Sequence, residues 1–468
     1  MKKMTFGVIA GNRGFFPDKL AEEGRNDILV TLAKKKYNAV CLTPKQTKFG
    51  SVETYEDAKK CADLFKKTAD KIDGIIVTLP NFGDEKGVAN AIRMSGLMVP
   101  VLVQASPDDQ QNMMLKNRRD SFCGKISVCN NLRQYGIPYT LTTLHTEAVD
   151  SEEFLEDLDY FAAVCRVVNG VGTARIGAMG ARPAAFNTVR YSEKILEDFG
   201  IAVETIDLYE VFGGCDAMTN TNPAVQKKLK EILAYVPCKG IPKTALIKMA
   251  KFGAFIDQWM KENDLNVTAV QCWTAMEKYF GITPCTVMSM LSNKLIPSAC
   301  EVDIGGAIGM YAMTLASGTP SALLDWNNNV GEDPDKCVLF HCSNLPKDVF
   351  KNVKMDYQEI IAGSVGKANS YGTCVGRMKD GPFTYTRVTT DDLMGEIRAY
   401  TGEGMMTSEP LQTFGGYGVA DIPDLQDLLK YICEEGFEHH VAVNYSEVAD
   451  AVAEAFSNYF GWDVYLHG

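Results

Sequence analysis

The chain has 468 residues, enough for roughly two to four domains at the usual ~100–200 residues each, and 46% of them are apolar, with 22 Phe and 19 Tyr available to fill large cores. A formal net charge of -12 leaves no basic field to hold phosphates, which argues against a nucleic-acid partner. The 14 cysteines follow no repeating spacing and include no Cys-x-x-Cys, so a disulfide framework is rejected in favour of reduced thiols in a cytoplasmic protein.

The opening MKKMTFGVIAGNRGFF carries a short apolar run closed by Gly11-Asn12-Arg13. It reads as a buried first strand, not a signal peptide. No stretch reaches the ~20 apolar residues of a membrane span. Apolar runs at Thr5–Ala10, Ala39–Thr43, Gly74–Leu79, Val99–Gln104 and Tyr139–Leu144 alternate with amphipathic stretches such as Asp18–Lys35 and Tyr55–Ile72. This predicts a parallel sheet with helices on both faces over residues 1–145. Ligands of such sheets sit beyond the carboxyl ends of the strands. Those ends here carry GNRGFF, LPNFGDE and QASPDD.

Residues 146–345 open with an acidic amphipathic helix, Ser151–Asn169, and return to strand–helix alternation. Strands are predicted at Ala174–Met179, Val203–Leu208, Val267–Trp273, Ala299–Ile304, Ala322–Trp326 and Cys337–His341, and helices at Pro223–Tyr235 and Thr244–Glu262. From 346 to 468 the pattern becomes short β-rich runs, with Lys379-Asp380-Gly381 read as a hairpin turn and a last helix at Ser446–Tyr459. The fold class is therefore α/β: two doubly wound, flavodoxin-like parallel-sheet domains, then a smaller antiparallel β-rich C-terminal domain. No internal repeat is readable.

Several chemistries are missing. There is no phosphate loop, no Gly-x-Ser-x-Gly elbow and no His-Glu-x-x-His. The glycines of NGVGTARIGAMG precede and end a strand, the wrong order for a dinucleotide fingerprint. What stands out is CEVDIGGAIGMYAMTLASGTPSALLDW, residues 300–326. Glu301 and Asp303 stand at one end of an uncharged run, and Asp325 at the other. Burying such carboxylates without partners is costly. With Gly305–Ser317 as the crossover helix of one βαβ unit, Glu301 and Asp325 converge on one sheet edge. Convergent carboxylates repel unless a shared proton or a cation compensates, and a divalent metal does so economically. Asp303 alone reads as a helix cap. The five histidines offer a nitrogen ligand. His341 and the His439–His440 pair are the candidates, whereas His145 ends a strand of the first part and His467 reads as a solvated tail residue.

The placement of Glu301, Asp303 and Asp325, together with HHVAVNY near the C-terminus, resembles the metal-site region of the L-fucose isomerases. GARPAAFNTVRYSEKILEDFGI and VLFHCSNLP resemble the shorter branch of the fucose/arabinose isomerase superfamily. The likeness spans essentially the whole chain. It implies a metal-dependent aldose–ketose isomerase acting by an ene-diol path between C1 and C2. Glu301, Asp325 and His440 would hold Mn²⁺ or another divalent metal, and Glu301 and Asp325 would be the acid/base pair. His439 is the other register for the histidine ligand. Arg13, Met179, Arg182, Gln271, Trp273 and His341 would contact the sugar, Gln271 and Trp273 suiting hydroxyls and C–H faces. The resemblance also implies a homo-oligomer, trimer or hexamer, while charge and hydropathy predict no nucleic acid or membrane partner. The sugar is left open among L-fucose, D-arabinose, L-arabinose and a sulfonated hexose such as sulfoquinovose, for which Arg13, Arg182 and Arg190 are the available cations. Competing readings are a non-catalytic sugar-binding protein of serial α/β domains and a metal-dependent aldolase or epimerase on the same scaffold.

Overall fold

The computed structural model describes residues 3–468, which divide into two compact units. The first holds residues up to 169 together with 458–461. Its sheet contains β1 (Thr5–Ala10), β2 (Asn38–Cys41), β3 (Gly74–Leu79), β4 (Val101–Ala105) and β5 (Thr140–Leu141), ordered β2-β1-β3-β4-β5 and parallel throughout. β1, β3 and β4 are buried along their whole length, which explains why they read as unbroken apolar runs. One face packs Ile75 and Val77 against Phe65. The other packs Phe6 and Val8 against Phe154, Leu158 and Phe161 of the helix Glu152–Val171.

The second unit holds two sheets. Four parallel strands, β6 (Arg175–Met179), β7 (Ala202–Ile206), β8 (Val267–Val270) and β9 (Ser298–Cys300), run in the order β7-β6-β8-β9. The other sheet has nine strands: β10 (Ser321–Val330), β11 (Asp333–His341), β12 (Lys354–Tyr357), β13 (Tyr371–Arg377), β14 (Gly381–Asp391), β15 (Glu396–Met406), β16 (Gly416–Asp421), β17 (His440–Asn444) and β18 (Asp463–His467). Their order is β12-β13-β16-β11-β10-β17-β14-β15-β18. Most pairs are antiparallel; β13–β16 and β15–β18 are parallel.

Three expectations change. The predicted βαβ crossover does not form: β9 lies in the four-stranded parallel sheet, while β10 lies in the nine-stranded one, antiparallel to β11 and β17. The helix Ile304–Ser317 thus passes from one sheet to the other. Eleven of its 14 residues are buried, so it is apolar all round. Its glycines allow close approach, since a Cβ on Gly305 would lie 2.3 Å from the Val388 carbonyl oxygen of β14. The turn at Lys379-Asp380-Gly381 is not a hairpin either. β13 and β14, which flank it, pair with other strands, and the hairpin is β14–β15. Finally, His467 is not a solvated tail residue: β18 pairs with β15, and the ring is buried with Nε2 2.9 Å from the Pro423 carbonyl oxygen.

Candidate active site

At Glu301 and Val302 the backbone leaves β9 in the left-handed region, with φ 56° at both. For a β-branched valine this is a genuine outlier, and such strain, about 1–3 kcal/mol per residue, gathers at functional sites. The chain then enters the helix Ile304–Ser317 through Asp303, whose Oδ1 accepts the Gly306 N–H at 2.9 Å as an N-cap. Asp303 is therefore a cap, as its position in the sequence suggests, and more besides. Its Oδ2 lies 2.7 Å from Nδ1 of His440, and its carboxylate is forked by Arg387, with Nη2 to Oδ1 at 3.0 Å. Arg387 also donates from Nε to Glu438 at 2.9 Å, and Glu438 accepts from Thr389 at 2.7 Å. Asp303, Arg387, Glu438 and His440 are all buried.

The resulting chain of contacts fixes the His440 ring. With Nδ1 committed to Asp303, Nε2 points to Oε2 of Glu301 at 3.7 Å and Oδ1 of Asp325 at 3.4 Å. Asp325 arrives by strand register: it stands directly opposite His440 in the antiparallel β10–β17 pair, and such residues share a face. His341, ending β11, places Nε2 3.7 Å from the same Oε2 of Glu301. The other oxygen of Glu301, Oε1, accepts from Trp273 Nε1 at 2.9 Å and from Cys272 Sγ at 3.1 Å.

Two atoms are conspicuous. Oε2 of Glu301 and Oδ1 of Asp325 are buried and lack a hydrogen-bond donor among the described residues. Orphaned buried acceptors call for an explanation. Donor atoms of Glu301, His341 and His440 lie within 4.8 Å of one another, as do those of Asp325, His439 and His440. Oxygen donors with one or two imidazoles suit a divalent cation of the manganese or magnesium type, and the Asp303–His440 contact is the outer carboxylate that metal-binding histidines normally carry. Burial pushes the Glu301 carboxyl up, but His341 and His440 beside it bring it down to about 2. Burial likewise opposes charge on His440, and Asp303 overrides it and raises that ring. For Asp303, Arg387 and His440 outweigh burial and hold the carboxyl far below the usual range.

The remaining sequence candidates fall in different places. Met179 is fully buried in the core of the second unit. Gln271 accepts the Ala181 N–H at 2.9 Å, an approach made possible by Gly180 at φ 85°, where a Cβ would meet the Gln271 side chain. Arg182 donates to the Pro183 carbonyl oxygen at 3.0 Å and has no carboxylate partner among the described residues. Arg13 belongs to the first unit, where it pairs with Glu85, donates to the Gly83 carbonyl oxygen at 2.9 Å and lies over the Phe82 ring at 4.2 Å. His439 is 41% exposed, its Nε2 3.9 Å from Asp325.

The sequence reading missed Arg387, Glu438, Cys272 and Phe186. The Phe186 ring centroid is 5.2 Å from that of His439, 5.4 Å from His440 and 5.8 Å from Trp273. It follows GARPAA in the loop after β6, and a lone phenylalanine in a loop rich in small residues was the available signal. Arg387 and Glu438 stand among polar residues of β-rich segments and offered none.

Glu277 is a separate case. It is fully buried and both its carboxylate oxygens lack a partner among the described residues. Burial pushes its carboxyl up, its own backbone N–H counters, Glu301 adds to the rise, and the group settles at about 8 against an ordinary 4.5. Between those values the folded protein keeps a proton that the unfolded chain has lost, so raising the pH favours unfolding. The stability this proton confers is complete below pH 4.5 and is lost as the pH passes about 8. Glu277→Gln should remove a slope of up to about 1.4 kcal/mol per pH unit. Urea midpoints of metal-free protein from pH 5 to 8 measure it; parallel curves for the two proteins would refute the assignment.

Residues 7–172 match the family described as fucose/sulfoquinovose isomerase, N-terminal domain, and residues 339–467 match L-fucose isomerase, C-terminal domain. The second match carries His341, Arg387, Glu438 and His440; Glu301, Asp303 and Asp325 fall between the two. Among curated proteins, a sulfoquinovose isomerase of Alkalicoccus urumqiensis is 23% identical over 82% of this chain and 83% of its own. A sulfoquinovose isomerase of Priestia aryabhattai is 22% identical over 86% of this chain and 87% of its own. A solved ABC transporter periplasmic solute binding protein from Actinobacillus succinogenes, with bound D-allose, aligns with 68% of this chain and 93% of its own at 10% identity; its TM-score of 0.17 is too low to carry an argument. No helix among the described residues is long and apolar enough to cross a membrane. With both ends of the chain matched, and with two curated relatives of the same activity over more than four-fifths of its length, the chain belongs to the fucose isomerase-like family and is a sugar isomerase.

Proposed function

We propose that this enzyme interconverts an aldose and a ketose by moving a proton between C1 and C2, with Glu301, Asp325 and His440 holding a divalent metal of the Mn²⁺ type. The observation that carries the reading is the pair of orphaned, buried carboxylate oxygens directed at one imidazole nitrogen whose other nitrogen is already committed. When bound, such a metal supplies Lewis-acid stabilisation of negative charge on the sugar oxygens. The protein's own groups divide the remaining work. Glu301 is clamped by Cys272 and Trp273 and acts on the oxygen side. Asp325, with no such clamp and 23% exposed, takes the proton from carbon. Trp273 and Phe186 present apolar faces to the sugar, and Gln271 and His341 meet its hydroxyls.

The names of the curated relatives favour a sulfonated hexose, and Arg182 supports that choice. It is in the loop that carries Phe186, and among the described residues its guanidinium serves only backbone carbonyls. A hydrogen bond to a charged group contributes about 1.5–3 kcal/mol. Arg182→Met should therefore lower the preference for a sulfonated over a neutral sugar by about 10–100-fold while sparing turnover of the neutral one. Equal losses on both sugars would remove Arg182 from sulfonate recognition.

The reaction itself is tested with chelator-stripped protein, Mn²⁺ and a panel of aldoses including a sulfosugar, followed by proton NMR in D₂O. Ketose that forms only with metal, with deuterium entering at C1 or C2, is the expected result. Ketose without deuterium would point to a hydride shift and sink the assignment of Asp325. A cleaved or epimerised product would make the enzyme an aldolase or epimerase, and sugar binding without any product would make it a sensor.

A further inference from the structure

The two oxygens of Glu301 face different chemistry. Oε2 faces imidazoles, whereas Oε1 faces sulfur. Cys272 Sγ is 3.1 Å from Oε1, and the Sγ atoms of Cys272 and Cys300 and a Glu301 oxygen all lie within 4.8 Å of one another. All three residues are buried, at 3%, 0% and 4% exposure. No disulfide ties the cysteines up. The proton-transfer reading uses Cys272 only as a hydrogen-bond donor to Glu301 and gives Cys300 no role.

We propose that Cys272, Cys300 and Oε1 of Glu301 form a second, inhibitory cation site, selective for thiophilic divalent ions such as Cd²⁺ or Zn²⁺. Occupancy draws the Glu301 carboxylate toward sulfur and away from His440. The inhibitory part rests on the proposed role of Glu301; the binding itself does not.

Three arguments support it. Metal–sulfur bonds of about 2.3 Å and metal–oxygen bonds of about 2.1 Å put tetrahedral donors roughly 3.4–3.8 Å apart, so the existing cluster needs only small side-chain shifts. Charge also balances: as the ion brings two positive charges, the two thiols release two protons. The buried cluster keeps its net charge, which avoids the desolvation cost of an added buried ion. Softness then separates the two sites, since thiolates select zinc and its heavier congener while carboxylate oxygens favour manganese and magnesium.

The test titrates Cd²⁺ into the Mn²⁺-loaded full-length enzyme, reading the sulfur-to-cadmium charge-transfer band in the ultraviolet and isomerase activity together. In the unaltered enzyme the band should grow to one ion per chain as activity falls. In Cys300→Ser, with basal activity retained, band and inhibition should both require at least about a hundredfold more Cd²⁺, the loss that even an outer-shell partner can cause. Cys433→Ser, altering an exposed free thiol away from the cluster, should titrate like the unaltered enzyme and serves as the control for general thiol reactivity. A band that survives in Cys300→Ser, or inhibition without any band, overturns the proposal. A band lost in Cys300→Ser but unaccompanied by inhibition confirms the site and instead removes Glu301 from the reaction.

Discussion

Glu301→Gln should lower kcat/KM for isomerisation by on the order of 10⁴, the upper end of what a positioned acid–base group contributes, and it should weaken metal retention as well. The substitution keeps the shape of the side chain, and an amide oxygen can still accept from Trp273 and Cys272. What disappears is the negative charge at Oε2, the orphaned atom facing His341 and His440. The same charge opposes burial of an ionised carboxylate, and the two histidines offset that cost. Steady-state rates and elemental analysis of the purified variant measure the two effects. Activity within tenfold of the unaltered enzyme would remove Glu301 from the chemistry. Asp325→Asn, tested beside it, separates roles: metal retained with deuterium incorporation lost identifies Asp325 as the group that moves the carbon-bound proton.

The second large effect is on stability. Arg387→Met should destabilise the second unit by about 3–5 kcal/mol, because removing one member of a buried ion cluster strands the rest. Arg387 is 1% exposed and faces two carboxylates, Asp303 and Glu438, that are themselves buried. Such a loss is a large fraction of the ~5–15 kcal/mol typical of a domain. All four tryptophans, Trp259, Trp273, Trp326 and Trp462, belong to the second unit, so intrinsic fluorescence during urea unfolding reports on that unit. Adding Asp303→Asn and Glu438→Gln should return part of the loss by removing the stranded charges. A change under about 1 kcal/mol would class the cluster with exposed pairs. His440 should also lose its fixed orientation, since Asp303 holds its Nδ1.

The strand runs of the first sheet were legible from local pattern alone. Thr5–Ala10 and Gly74–Leu79 are the observed bounds of β1 and β3, because a strand covered on both faces must be apolar throughout. The helix Pro223–Tyr235 begins and ends where its pattern predicts, with proline in the first turn, where a missing N–H costs nothing. Carboxylates flanking the uncharged run 304–317 likewise announced themselves, since acids beside so buried a helix need partners.

Which partners they find is a different matter. Asp325 meets His440 because β10 and β17 pair in one register, although the reading that brought Asp325 to Glu301 assumed a parallel crossover that the molecule does not contain. Arg387 reaches Asp303 across 84 positions and Glu438 across 51. The sequence by itself determined where strands and helices lie in the parallel parts, and that acids at 301 and 303 follow the end of one strand; Asp325, read as a strand end, stands in the middle of β10. Only the tertiary structure decided that Asp303 orients His440, that Arg387 secures Asp303, and that Glu301 stands between imidazole and sulfur. Periodicity records which face of an element is buried, whereas sheet order and register are set by contacts between segments far apart in the chain.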